Sequence, residues 1–238
     1  MCSKFSFYFL IFVSFFGAGF ATMCILMTGF VENNVVLNVP EDLQKRCNFC
    51  NIPKPERSHH CKICKKCVLK MDHHCNILSV CINNYNIGYF IRFIFCMWLV
   101  STWTFLYNIV LIIFKLYNFK KPIGYGNGTS LILTTILCIG ITLITSAHLY
   151  WQHCNIKRNV TNVEIVQEHN SKYRGIECGK SPYDFGYYNN FKDIFGSPLF
   201  LFLGLPRTNG FTWKKSYKTY YWPLIDLKYI SNTDDEDI

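Results

Sequence analysis

The chain has 238 residues, of which half are apolar, 17% aromatic and only 16% charged, and its net charge is +9. So small a charged share lies below the globular norm and points to a membrane protein. The positive excess is too diffuse for a nucleic-acid surface, which excludes that class of partner, and it suits a cytoplasmic face against anionic lipid headgroups.

In chain order, Phe5 to Val31 is 27 residues without a charge. At helical rise that exceeds a hydrocarbon core of about 30 Å, so residues 1–31 are read as an N-terminal transmembrane helix with some tilt. A cleaved signal would have an apolar region of only ~7–15 residues. Gly17-Ala18-Gly19 offers a small-residue surface to a helical neighbour. Residues 32–46 form a polar cytoplasmic connector, and a cysteine-rich module occupies 47–92. A transmembrane hairpin follows over 93–151. Its spans are 93–114, flanked by Arg92 and Lys115, and 129–151, ending at Tyr150 and Trp151, with a glycine-rich polar turn between them. The sequon Asn127-Gly128-Thr129 abuts the membrane, which argues against its glycosylation. Residues 152–238 form a C-terminal segment, in which Leu199 to Leu205 is apolar but too short to span and Asp234 to Asp237 is a solvated acidic end.

Lysine and arginine number nine in residues 32–92 and 11 in 152–238, against three in 115–128. The positive-inside rule therefore places the cysteine-rich module and the C-terminal segment in the cytoplasm, and three spans put the short N-terminus on the opposite side. Free thiols agree, because they persist in a reducing compartment. The fold class read from the sequence is an α-helical polytopic membrane protein with three transmembrane helices and a small cytoplasmic module rich in β-hairpins.

Residues Cys47 to Cys81 hold seven of the 13 cysteines and four of the seven histidines. The spacing is C-x2-C-x9-H-C-x2-C-x2-C-x4-D-H-H-C-x5-C. A C-x2-C step brings two thiolates to one ion, and imidazole completes a tetrahedral zinc shell. Apart from His59 and His73, the potential ligands are Cys47, Cys50, His60, Cys61, Cys64, Cys67, His74, Cys75 and Cys81. Two four-coordinate zincs use eight of these nine and leave one over. A RING-type ligase would end in a second C-x2-C pair, where this chain has Cys75-x5-Cys81. A disulfide framework would not account for the histidines. A nucleic-acid finger would need a basic recognition helix, which is missing after the ligands.

The stretch resembles, without a gap, the Asp-His-His-Cys (DHHC) protein S-acyltransferases, or palmitoyltransferases. Besides the cysteines and histidines, the resemblance rests on Lys54, Pro55, Arg57 and His59 and on Val68 and Met71. It implies two interleaved structural zinc sites, Cys47, Cys50, His60 and Cys67 in one and Cys61, Cys64, His74 and Cys81 in the other. Cys75 is then the free thiol. It also implies contacts of Lys54, Arg57 and His59 with the phosphates of coenzyme A. Past the third span, Thr161-Asn162-Val163-Glu164 resembles the family's Thr-Thr-x-Glu motif, with asparagine in place of the second threonine. That threonine hydrogen-bonds the catalytic aspartate in the family, and an asparagine amide can donate the same bond. Tyr183 to Gly196 resembles the family's C-terminal (PaCCT) motif, and Asn190 takes the place of its asparagine, which ties the tail to the membrane domain.

Three further departures stand out. The family normally carries two spans before the zinc module, where this sequence has one. Asn76-Ile77 replaces the Pro-Trp that usually follows the nucleophile, and Asn83 replaces a glycine, while Asn86 keeps its place.

The expected chemistry is protein-cysteine S-palmitoyl transfer in two steps. Cys75 is the nucleophile, His73 its general base, and Asp72 the carboxylate that fixes the His73 tautomer. The donor is a long-chain acyl-CoA such as palmitoyl-CoA, and the acceptors are cytoplasmic cysteines of membrane-associated proteins. The setting is an endomembrane (Golgi or ER) or the plasma membrane. The competing reading is a catalytically impaired membrane scaffold or zinc-binding adaptor.

Overall fold

The computed structural model describes residue 17, residues 19–29, 46–117 and 125–196 (side chains from 128), 206, 208–219 and 222–223. Most of the expected first span, the connector, the apolar 199–205 stretch and the acidic end lie outside them. The chain divides into two compact units, one of residues 1–24 and 91–151, the other of 25–90 and 152–238.

Two helices are long and apolar enough to cross a membrane, α2 (Ile87–Tyr117) and α3 (Tyr125–Arg158), and they are preceded by a shorter apolar helix, α1 (Gly19–Gly29). The expectation was three spans, and the described residues contain two. Both helices run past their apolar stretches, because helical hydrogen bonding does not stop where hydropathy does. Lys115 in α2 and Lys157 and Arg158 in α3 fall in the last turns, where cations face the carbonyl-rich helix end.

Within the first unit, Trp98 Nε1 donates to Ser146 Oγ at 2.9 Å, Thr142 Oγ1 to Ser101 Oγ at 3.0 Å, and Asn108 Nδ2 to Thr134 Oγ1 at 3.3 Å. The pairs run in opposite sequence order, so α2 and α3 are antiparallel there. In lipid, where apolar burial between helices gains little, such bonds contribute on the order of 0.6 kcal/mol each. A Cβ at Gly17 would lie 2.6 Å from Val100 Cγ2, so close approach requires glycine at that position. Leu99, Leu106, Val110, Ile113, Leu133, Ile136, Leu137 and Leu143 are exposed, as lipid-facing residues would be.

The hairpins of the second unit are built around clustered cysteine and histidine side chains more than around an apolar core. Strand β1 (His59–Cys61) pairs antiparallel with β2 (Lys66–Val68), and β3 (His73–Cys75) with β4 (Val80–Ile82). Their small cores consist largely of cysteines plus Val68, Leu69 and Met71. A module with so few aliphatic side chains needs a staple, and metal is the usual one.

In this unit α3 ends in a Schellman turn. Asn159 adopts a left-handed φ of 47°, its N–H bonds the Ile156 carbonyl at 3.1 Å, and the Val160 N–H bonds that of Asn155 at 3.1 Å. The chain then enters α4 (Asn162–Tyr173) at once through a capping box. Thr161 Oγ1 accepts from the Glu164 N–H, and Glu164 Oε2 accepts from the Thr161 N–H. The Thr-x-x-Glu motif is thus, locally, a helix-starting device. A further helix, α5 (Tyr187–Phe195), follows a loop stapled by aromatic residues.

Candidate active site and metal centres

Two ligand clusters form in the second unit. Cys47, Cys50, His60 and Cys67 converge at one point and Cys61, Cys64, His74 and Cys81 at another, with all ligand atoms of each set within 4.8 Å of one another. Each hairpin places a histidine directly opposite a cysteine of its own cluster, His60 across from Cys67 and His74 across from Cys81. The C-x2-C knuckles are closed by backbone N–H groups on sulfur, Cys50 to Cys47 and Cys64 to Cys61, both at 3.3 Å.

The geometry fits tetrahedral zinc. Zinc bonds of ~2.3 Å to sulfur and ~2.05 Å to nitrogen imply N···S edges of about 3.6 Å. Cys47 and Cys50 lie 3.6 and 3.3 Å from His60 Nδ1, and Cys61, Cys64 and Cys81 lie 3.7, 3.4 and 3.6 Å from His74 Nδ1. Burial pushes the Cys50 and Cys64 thiols above their ordinary pKa, so as bare thiols they would be neutral at pH 7. A dication changes that balance, because thiolates are its ligands.

Strand alternation separates the remaining cysteine from both ligand clusters. Residues two apart share a face of a strand, and neighbours take opposite faces. On β3, His74 therefore turns to the second cluster while His73 and Cys75 share the other face. Cys75 belongs to neither cluster and is buried, at 9% exposure. His73 Nδ1 lies 2.8 Å from Asp72 Oδ2, and its ring meets the edge of Phe90 at 5.3 Å. With Nδ1–H donating to the carboxylate, Nε2 is left as the basic nitrogen.

Asp72 is held from its other side by the start of α4. The Asn162 main-chain N–H donates to Asp72 Oδ1 at 2.9 Å, and the Asn162 side-chain Nδ2 donates to Oδ2 at 2.7 Å. The carboxylate thus sits at the positive end of a helix and accepts one of its unpaired N–H groups. Asparagine in place of threonine keeps a donor on Asp72, as the motif comparison anticipated.

The residues expected near phosphates are all interior: Lys54 is 2% exposed, Arg57 6% and His59 8%. Arg57 is already engaged. Its Nε and Nη2 bind Glu164 bidentately at 2.6 and 2.8 Å, and Nη1 and Nη2 bind the Asn159 side chain and carbonyl at 3.1 and 2.9 Å. Tyr183 and Trp213 stack on it, at 4.0 and 4.8 Å to their ring centres. A guanidinium with four of its five N–H groups used and its charge neutralised has little left for a phosphate.

Asn190 is fully interior. Its Nδ2 donates to the Lys157 carbonyl at 3.2 Å and to Asp184 Oδ1 at 2.8 Å, and its Oδ1 accepts from the Phe185 N–H at 3.1 Å. It joins the end of α3 to the loop before α5. Asn83 is tolerated where a glycine was expected because its φ is not in the left-handed region. Its Oδ1 instead accepts the Tyr85 N–H at 2.8 Å. Asn86 Nδ2 holds the Cys81 carbonyl at 2.9 Å. Ile77 is 92% exposed, so the position of the missing tryptophan carries a protruding aliphatic side chain.

Motif reading missed three contributors. Asn159 links the α3 turn to Arg57 and, through Nδ2, to the Tyr183 carbonyl at 2.9 Å. An asparagine between a helical run and a capping box is the signal that would have revealed it. Residues 208–217 strap onto the module. Asn84 and Thr208 exchange hydrogen bonds at 2.9 and 2.8 Å, Trp213 Nε1 donates to the Glu56 carbonyl at 3.2 Å, and Lys215 pairs with the Glu56 side chain at 2.6 Å. Lys70 lies buried beside Asp72 with no hydrogen-bond partner for Nζ, which sits 4.9 Å from the Trp213 ring centre. Short-range patterns carry no signal for these last two.

Comparison with known proteins agrees with this geometry. The family model described as DHHC palmitoyltransferase matches residues 40–169. The chain is 32% identical over 190 residues to "Palmitoyltransferase ZDHHC16" of Mus musculus, an alignment covering 70% of this chain and 52% of that protein. It is 30% identical over 164 residues to "Probable protein S-acyltransferase 16" of Arabidopsis thaliana, covering 66% and 56%. It is also 30% identical over 208 residues to "Palmitoyltransferase PFA4" of Yarrowia lipolytica, covering 76% and 56%. The chain spans about half the length of these curated relatives. With two membrane-length helices, two Cys3His clusters and a match over more than half its length, the chain is an integral membrane protein that belongs to the DHHC palmitoyltransferase family.

Proposed function

We propose that this chain is a protein-cysteine S-palmitoyltransferase that works through an acyl-Cys75 intermediate. The observation that carries the reading is the pairing of Asp72 with His73 at 2.8 Å on the strand face that also carries Cys75, outside both metal clusters. In the first step the Cys75 thiolate attacks the thioester carbonyl of a long-chain acyl-CoA. The carbonyl carbon forms a bond to Cys75 Sγ, the bond to the CoA sulfur breaks, and the departing thiolate takes up the proton that His73 removed from Cys75. In the second step a cysteine thiol of a membrane-associated protein gives its proton to His73 and displaces Cys75 from the acyl group. One thioester replaces another, so catalysis consists mainly of positioning and of activating thiols.

Zinc bound by the two Cys3His sets would supply a structural charge and closed, four-ligand shells. Lys54 and His59 remain candidates for the CoA phosphates, whereas Arg57 is assigned to hold the module to α4. The positive-inside distribution favours a cytoplasmic module and C-terminal segment, in an endomembrane or the plasma membrane. A non-catalytic zinc-binding scaffold is the second reading, favoured by Asn76-Ile77 where the family has Pro-Trp.

The test is labelling of the purified protein with alkyne-tagged palmitoyl-CoA, wild type beside Cys75→Ser. Hydroxylamine-sensitive label on wild type alone supports the transferase. No label on either protein, with zinc still bound, overturns it in favour of the scaffold.

A further inference from the structure

Asn155 has no role in the motifs described above. It lies near the end of α3, 4% exposed, and its carbonyl closes the Schellman turn. That turn brings its side chain against the first residue of α4. Asn155 Nδ2 donates to Asn162 Oδ1 at 3.1 Å, while the other end of the same amide, Asn162 Nδ2, donates to Asp72 Oδ2 at 2.7 Å.

A primary amide has a donor end and an acceptor end of nearly equal size. Rotated by half a turn, Asn162 would present an oxygen to the Asp72 carboxylate and turn attraction into repulsion. A threonine hydroxyl at this position faces no such choice, because its single O–H rotates to donate. Asparagine at 162 therefore creates a requirement that threonine does not, and Asn155 meets it by occupying the acceptor end. Asn162 is half-buried, so water competes for its acceptor end, but a donor fixed on α3 supplies the bond without immobilising a solvent molecule.

We infer that Asn155 is a positioning residue for acyl transfer: it locks the Asn162 amide with its donor toward Asp72 and so keeps the carboxylate aimed at His73. This inference rests on the transferase reading given above, and its test separates the two.

The experiment is a double-mutant cycle on the zinc-loaded full chain: wild type, Asn155→Leu, Asn162→Thr and the double variant. Asn155→Ala, which adds no bulk, is carried through the same cycle in case leucine disturbs folding, with zinc content as the check. Two rates are read. One is alkylation of Cys75 by iodoacetamide, followed on the Cys75 peptide, which needs no acyl donor. The other is self-acylation by alkyne-tagged palmitoyl-CoA. Removing Asn155 is expected to slow both rates about tenfold when residue 162 is asparagine, the scale of losing one aligned hydrogen bond to a charged group. With threonine at 162 the same removal changes them by less than about twofold, the behaviour of uncoupled sites. Equal slowing in both backgrounds, or no slowing in either, overturns the inference. Coupling in alkylation with no acyl label on any variant sinks the transferase reading and leaves the positioning role standing. Label on wild type without coupling sinks the positioning role alone.

Discussion

Arg57 and Glu164, 107 residues apart in the chain, form a bidentate ion pair with both side chains only 1% exposed. The pair links the loop before β1 to the first turn of α4, where Glu164 also serves the capping box. Removing one member of such a pair leaves a buried charge uncompensated, which costs about 3–5 kcal/mol. Arg57→Met is therefore expected to lower the unfolding midpoint and zinc retention sharply. The double variant Arg57→Met/Glu164→Gln is expected to recover part of the loss. Thermal melts with zinc analysis check both; a double variant no better than the single would show that the pairing is not what matters.

The two bonds from Asn162 to Asp72 predict a charge-dependent hierarchy at that position. Asn162→Asp places a second carboxylate 2.7 Å from the first and removes the side-chain donor. Self-acylation should fall at least about a hundredfold, the scale of a like-charge contact in a poorly hydrated site. Asn162→Thr should fall much less, because a hydroxyl restores the donor. Initial rates with palmitoyl-CoA decide the order, and equal loss in both variants would contradict it.

Metal removal should act on the thiol chemistry through the fold. The hairpin cores contain too few aliphatic groups to persist alone. Cys47→Ser and Cys61→Ser, one from each cluster, should each abolish Cys75 labelling although Cys75 is intact. Zinc content should drop in step. Retention of full labelling after chelation would refute the structural role of the metal.

Lys70 offers a pH signature. Burial, then repulsion from Arg57, pulls its pKa from 10.5 down to about 7, against the attraction of Glu164, Asp193 and Asp72. Between pH 7 and 10.5 the unfolded chain holds a proton that the folded chain has released. Stability from this group therefore rises with pH across that window, and the penalty is fully present below it. Lys70→Met should raise the apparent midpoint at pH 7 by a few degrees, a rise worth about 1 kcal/mol or more in a chain of this size. The advantage should narrow toward pH 10. A gain of the same size at both pH values would rule out the ionisation as its cause.

The sequence carried the metal sites most fully, because zinc tolerates few ligand types and fixes their spacing. In the Asp-His-His-Cys order, spacing and the family resemblance assigned His74 to metal and left His73 and Cys75 free, and the structure adds that His73 and Cys75 alternate with His74 on β3. Arg57 was legible as a cation of the motif but not as the partner of Glu164, since a side chain's preference between a phosphate and a carboxylate depends on what folding brings beside it. Asn155 was invisible for the same reason, and Asn159 showed only as an asparagine between a helical run and a capping box. Their roles follow from a tight turn between two helices, and that turn is set by a left-handed backbone at Asn159. Helix ends were also blurred, with α3 reaching Arg158, beyond the apolar stretch that ends at residue 151.

The alternation of β3 has a further consequence for the redox life of the protein. Seven cysteines lie within the 35 residues from Cys47 to Cys81, and six of them belong to the metal clusters. While the hairpins are closed, the register keeps the seventh out of the clusters, and its reactivity stays selective. Once the metal is lost, no register distinguishes Cys75 from its neighbours, and all seven become ordinary partners for disulfide exchange. Oxidation of the apo-protein should then yield scrambled bridges, so metal occupancy sets the boundary between a directed nucleophile and an indiscriminate one.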